Sequence, residues 1–202
     1  MNGPPFYVFG RGVCAVIARV FWRLEVHGRE HVPLRGGLIV ACNHRSYVDP
    51  VALGVALPRP ISYMAKVELF RIPVLGPVIG ALNAYPVDRG KSDVAAIKTS
   101  VRHLRDGEAI GIFPEGTRTL TGEARGHTGV ALLASLSGAP VLPAFVNGGE
   151  RAKQLGKVQV AFGEPLHYKG ASGGKASRQD LANWTDEIMG RIRALGERLG
   201  AN

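Results

Sequence analysis

GLIVACNHRSYVDP, residues 37–50, carries an apolar run of strand length straight into Asn43 and His44 and then into a helix start at Asp49 and Pro50. Outward from it, further short apolar runs bounded by glycine or proline read as strands: ISYMA at 61–65, AIGIF at 109–113, PVLPAFV at 140–146 and KVQVAFG at 157–163. Between them, residues 49–57, 92–105 and 128–137 suit helices, the second opened by Ser92 as a cap. Strands alternating with helices predict an α/β fold: a mixed, mostly parallel sheet flanked by helices. A chain of 202 residues is enough for one domain with a core of its own. Apolar residues at 46% and charged residues at 20% match globular usage and exclude a disordered or fibrous chain.

Both ends of the chain have their own character. FYVFGRGVCAVIARVFWRL, residues 6–24, is apolar but holds Arg11, Arg19 and Arg23, which at 100° per residue gather on about a third of a helix circumference. The stretch free of charge is too short for a spanning helix, which needs ~20 apolar residues, and a signal peptide is not expected, because arginine sits inside the apolar segment and no clear small-residue cleavage site follows. Residues 1–24 are expected to form an amphipathic interfacial helix, or alternatively a helix that covers the domain's own core, with residues 25–202 as the domain proper. KGASGGKAS, residues 169–177, has Lys169 at the first glycine position of a phosphate-binding loop and Ala176 at its last, and reads as a linker to a charged amphipathic helix ending near Leu199.

A formal charge of +9 and a pI near 10.0 call for an acidic partner: nucleic acid, an anionic lipid surface or a phosphorylated substrate. Aromatic residues are only 7%, and no basic-aromatic stacking pattern or recognition-helix motif appears, so nucleic acid is not expected. Cys14 and Cys42 belong to no metal-binding or redox spacing; no metal and no cofactor are expected.

Two constellations carry chemistry. NHRSYVDP, residues 43–50, lies where a strand gives way to a helix, the place where ligands sit in open α/β sheets. The five-residue spacing allows Asp49 to hydrogen-bond one imidazole nitrogen of His44 while the other faces substrate, as general-base catalysis on an alcohol needs; Asp49 capping a helix is the plainer alternative. FPEGTR, residues 113–118, also follows an apolar strand, and combines a glycine that permits close backbone approach with Arg118, a planar fork for phosphate.

In these two blocks the chain resembles the glycerolipid acyltransferases, the lysophosphatidic acid (1-acylglycerol-3-phosphate) acyltransferases. NHRSYVD matches the family's Asn-His-x-x-x-x-Asp block and FPEGTR its Phe-Pro-Glu-Gly-Thr-Arg block without change; NAYPVDR at 83–89 and VLP at 141–143 match two weaker blocks in the same order. Asn83 stands where the family usually has glycine. MAKVELFRIPVLG at 64–76 also resembles the family, so the likeness runs from about residue 25 to 165.

The resemblance implies His44 as the base and Asp49 as its orienting partner. It implies Glu115, Gly116 and Arg118 in the glycerol-phosphate site, with Lys66 and Arg89 as further anion contacts. After FPEGTR the family often carries a lysine or an aromatic-lysine pair; here EARGHTG at 123–129 offers Arg125 and His127, which are left outside the site. The implied reaction moves a fatty acyl group from acyl-CoA or acyl carrier protein to the free hydroxyl of 1-acyl-glycerol 3-phosphate. That places the enzyme against anionic lipids on the cytoplasmic face of the cell membrane, as a peripheral or monotopic protein in phospholipid synthesis. The alternatives are acylation of glycerol 3-phosphate or another lysolipid, thioester hydrolysis, and a noncatalytic membrane-binding protein.

Overall fold

The computed structural model describes residues 5–73, 75–81, 83–87, 94–116, 126–170 and 176–201. Seven strands form one sheet in the order β1-β7-β6-β2-β5-β3-β4. They are β1 (Glu25–His27), β2 (Leu38–Cys42), β3 (Ile61–Lys66), β4 (Ala84–Val87), β5 (Ala109–Ile112), β6 (Val141–Asn147) and β7 (Gln159–Phe162). From β6 to β4 all neighbours are parallel; β7 runs antiparallel to β6, and β1 follows β7. The expected mixed, mostly parallel sheet in a single domain is what forms. All five expected strands are present, while β1 and β4 are additional.

β2 lies at the centre, and every one of its residues is buried. Its alternate side chains feed two cores. Ile39 and Ala41 pack with α4 (Val94–Arg105), α5 (Gly129–Ser137) and α6 (Arg178–Arg198), through residues such as Leu104, Leu133 and Ile192. Leu38, Val40 and Cys42 face the other way, toward Ala52, Leu53 and Ala56 of α2 (Asp49–Ala56). A strand covered on both faces needs this unbroken apolar run, which a half-exposed strand would alternate with polar residues. The helix expected at 92–105 is α4; Ser92, its expected cap, lies outside the described residues. Ser177 at the end of the expected linker caps α6, its hydroxyl accepting from the Asp180 N–H while the Asp180 carboxylate accepts from Ser177.

The sheet order puts the site where it is. β2 leaves through α2 on one face and β5 leaves through α5 on the other, so the crevice between their carboxyl ends is a topological switch point, the usual ligand position in open α/β sheets. The carboxyl ends of β2, β3, β4, β5 and β6 share that edge, because parallel strands finish on the same side.

The amino-terminal helix, α1 (Pro5–Phe21), lies against α2. Tyr7 and Ala18 are its buried residues. The Tyr7 hydroxyl accepts from the Ile61 N–H at 3.2 Å, and the Arg11 guanidinium donates to the carbonyls of Gly54 and Val55 at 3.0 and 3.2 Å and to that of Leu57. Carbonyls at a helix carboxyl end have no partner within the helix and carry its negative pole, so a cation is favoured there. The face that meets the domain is therefore the one with Arg11, and the opposite face is apolar and outward: Phe6, Phe9, Val13, Val16, Ile17 and Val20 are exposed, Phe9 at 70%. At 100° per residue those six fall in a stripe about 100° wide. Among the described residues no helix is long and apolar enough to cross a membrane.

Arg11→Ala should cost about 1–3 kcal/mol, since it removes charge-assisted bonds and leaves carbonyls of α2 unpaired; in a domain of this size that lowers the thermal midpoint by roughly 2–12 °C. A thermal melt followed by circular dichroism measures it.

Candidate active site

β2 ends at Cys42, and Asn43 makes the ending possible. Its side-chain amide donates to the Val146 carbonyl at 3.0 Å and its carbonyl oxygen accepts from the Val146 N–H at 2.8 Å, so a side chain continues the ladder to β6 where the main chain departs. Both backbone groups of Val146 are buried and would cost free energy if left open. Freed from the sheet, the chain turns through His44, Arg45 and Ser46 into α2.

Asp49 organises that turn. Its Oδ2 accepts from the N–H of Arg45 at 2.7 Å, from the N–H of Ser46 at 2.6 Å and from Nδ1 of His44 at 3.2 Å. An ionised carboxylate can only accept, so His44 carries its proton on Nδ1 and Nε2 is left with a lone pair. Asp49 is wholly buried and sits in the first turn of α2, where the positive helix pole favours a carboxylate. It does not serve as a side-chain cap of that helix; Val48 holds the cap position, without a side-chain bond. The second oxygen, Oδ1, has no hydrogen-bond partner and lies against Gly149, where a built Cβ would come within 2.2 Å of it.

The imidazole is also held by its face. Phe113, directly after β5, stacks on His44 with ring centroids 4.2 Å apart and planes 24° from parallel. Phe113 begins the FPEGTR block, so the two constellations meet in space at the switch point. Beyond it the chain makes a tight turn in which the Gly116 N–H donates to the Phe113 carbonyl at 3.0 Å, and Glu115 is buried. Gly116 has φ +69°, a conformation that disfavours side chains, and a Cβ there would strike the His127 ring at 2.8 Å. The His127 N–H donates to the Pro114 carbonyl at 2.8 Å.

Burial pushes the Cys42 thiol well above its ordinary value, and the charges of Asp49 and Glu115 push it the same way. It stays a thiol, with Sγ 3.4 Å from Asn43 Oδ1, and is no nucleophile. Among the described residues no cluster of three or more metal-ligating side chains occurs. The arrangement is a buried carboxylate, an imidazole with one free nitrogen and a glycine turn with a carboxylate beside it, fit for removing a proton from a hydroxyl.

A family model described as an acyltransferase matches residues 23–147, which span the His44 and Asp49 turn, the FPEGTR block and every strand from β1 to β6. The chain belongs to this acyltransferase family. It is 36% identical to the 1-acyl-sn-glycerol-3-phosphate acyltransferase of Bacillus subtilis, over 96% of this chain and 98% of that protein. Against the enzyme of the same name from Pseudomonas aeruginosa it is 31% identical, over 88% and 73% of the two chains. The crystal structure of the 1-acyl-sn-glycerophosphate acyltransferase PlsC of Thermotoga maritima superposes with a TM-score of 0.70 at 26% identity, covering 98% of this chain and 88% of that one.

Four of the residues expected in the site of this acyltransferase, His44, Asp49, Glu115 and Gly116, sit at the carboxyl edge around the β2 and β5 crevice. Lys66 ends β3 at the same edge. Arg89, Arg118 and Arg125 lie outside the described residues. Sequence reasoning missed Asn43 as a strand-ending clasp, Phe113 as the stacking partner and Gly149 as the surface under Asp49. Asn43 and Phe113 belong to the two family blocks themselves; Gly149 had no signal beyond the Gly148 and Gly149 pair after an apolar strand.

Gly149→Ala should push Asp49 off its present position and with it Nδ1 of His44. We expect acyl transfer to fall by at least about tenfold, on the scale that small misplacements of catalytic groups cause, with the far-UV circular dichroism spectrum retained.

Proposed function

We propose that this acyltransferase moves a fatty acyl group from an acyl thioester to the free hydroxyl of a 1-acylglycerol 3-phosphate held at a membrane surface. The observation that carries the proposal is the hydrogen bond between His44 and the buried Asp49, set directly against Phe113 of the FPEGTR block. The names of the relatives support the acceptor, and the basic chain suits an acidic donor, either acyl-CoA or acyl carrier protein.

In the proposed reaction Nε2 of His44 takes the proton of the acceptor hydroxyl as its oxygen attacks the thioester carbonyl carbon. Asp49 stabilises the imidazolium that forms. The tetrahedral oxyanion then collapses, the carbon–sulfur bond breaks, and the departing sulfur receives the proton from His44, so the base is restored. Arg118 anchors the acceptor phosphate, Glu115 and Gly116 shape the glycerol-phosphate site, and Lys66 and Arg89 add positive charge. No metal or cofactor enters the steps. A general base contributes about 10² to 10⁴ in rate, and holding the acceptor supplies much of the rest.

The same proposal makes residues 1–24 the membrane-facing part, with residues 25–202 as the catalytic domain, peripheral at the cytoplasmic face. It is supported by the outward apolar stripe on α1, flanked by the exposed Arg19, on a chain of charge +9.

Two experiments test the proposal. With palmitoyl-CoA and lysophosphatidic acid in mixed micelles, thiol release that requires the acceptor and yields phosphatidic acid is expected. His44→Ala should lower it by about 10² to 10⁴ and Asp49→Asn by at least about 10²; release without acceptor would instead mark a thioesterase. Separately, replacing Phe9 and Val16 by Ser should weaken sedimentation with anionic vesicles by at least about tenfold while leaving the thermal midpoint unchanged; unchanged binding would remove the role given to α1.

A further inference from the structure

We infer that Tyr63 is a positioning residue for both members of the catalytic pair at once, an inference that rests on the proposed role of His44 as the base. Register starts the chain of contacts. In the parallel pairing of β3 with β5, Tyr63 stands directly opposite Gly111. The absent side chain at Gly111 gives the Tyr63 ring its seat: a Cβ there would lie 2.3 Å from ring atom Cε1 and 2.6 Å from Cδ1. Tyr63 leans across β5 because the residue opposite is glycine.

From that seat Tyr63 reaches in two directions. Its ring lies 9° from parallel with that of Phe113, centroids 6.2 Å apart, within the range of interacting aromatic pairs. Phe113 is two residues beyond Gly111 and on the same side of β5, and the imidazole of His44 stacks on that same ring at 4.2 Å. The Tyr63 hydroxyl meanwhile donates to the carbonyl of Pro50 at 2.8 Å, in the first turn of α2, one residue from Asp49. One arm thus backs the imidazole through a ring, and the other pins the turn that carries the carboxylate. Burial holds the phenol well above the ordinary tyrosine value, so the hydroxyl remains a donor across the working pH range.

The arms converge on a geometry with little tolerance. The Nδ1 to Oδ2 distance of 3.2 Å is already at the long end for a hydrogen bond. An imidazole free to slide on a loosened Phe113, or an α2 turn free to rock, would lengthen it. Tyr63 touches no reacting atom, so its loss should lower turnover and leave acceptor binding intact.

The test uses the full chain with Tyr63→Leu and Tyr63→Phe, reading kcat, KM for lysophosphatidic acid, and the imidazole proton resonances of His44, identified by their loss in His44→Gln. Tyr63→Leu, without ring or hydroxyl, should lower kcat by at least about tenfold with KM within about twofold, and should shift the His44 resonances as Phe113 moves. Tyr63→Phe, which keeps the ring and loses only the Pro50 bond, should lower kcat by about threefold or more, again with KM held. A folded variant of either kind with native kcat and unshifted His44 resonances overturns the inference. His44→Ala separates the two levels: if it is active, the base assignment falls and this inference with it. If it is inactive beside a native-like Tyr63→Leu, only the role of Tyr63 falls.

Discussion

A central strand of a parallel sheet is hydrogen-bonded on both sides, so it cannot leave the sheet without stranding the groups that faced it. β2 has β5 on one side and β6 on the other, and its departure would leave the N–H and C=O of Val146 open. The amide of Asn43 occupies both. That one side chain lets the backbone break away immediately after a fully buried strand, and the next residues along the chain are those of the candidate site. His44 is at the sheet edge because the residue before it remains in the sheet.

The turn that Asn43 releases is held by Asp49, whose two oxygens have different tasks. One gathers three donors, two from the backbone of the turn and one from the imidazole, so the turn and the dyad share a single fixed point. The other is buried against Gly149, which arrives from the end of β6. Buried polar atoms without partners are rare, and this one marks how closely the segment after β6 is brought up to the dyad. The segments that follow three strands therefore meet at one carboxylate and its imidazole: the turn after β2 and the start of α2 supply both residues, the residue after β5 is the ring that stacks on His44, and the segment after β6 supplies the surface beneath Asp49.

The sequence is most legible where a single stretch holds the whole signal. The five apolar runs became strands because each contributes buried residues to the two cores of the sheet, and the dyad was legible because both members lie within one turn. β1 was not, since EVH offers three residues and no apolar run. β4 was not, since AYPV contains Pro86, tolerated only because β4 is the edge of the sheet. α3 (Leu75–Ala81) was not, since its LGPVIGA includes two glycines and a proline, poor helix formers held by their surroundings. The seat of Tyr63 over Gly111 and the contact of Gly149 with Asp49 depend on strand register and on crossings between segments far apart in the chain, and no local pattern encodes either.

The attachment of α1 has a consequence for the distance between lipid and chemistry. Arg11 fixes the amphipathic helix to the carboxyl end of α2, and Asp49 stands in the first turn of that same helix. Eight residues of α-helix make a rod about 12 Å long. That short rod joins the Arg11 anchor to the Asp49 turn, so α1, if it rests in a lipid surface as proposed, keeps a fixed separation from the imidazole. An acceptor whose acyl tail stays in the lipid beside α1 would then have to present its hydroxyl within that fixed reach.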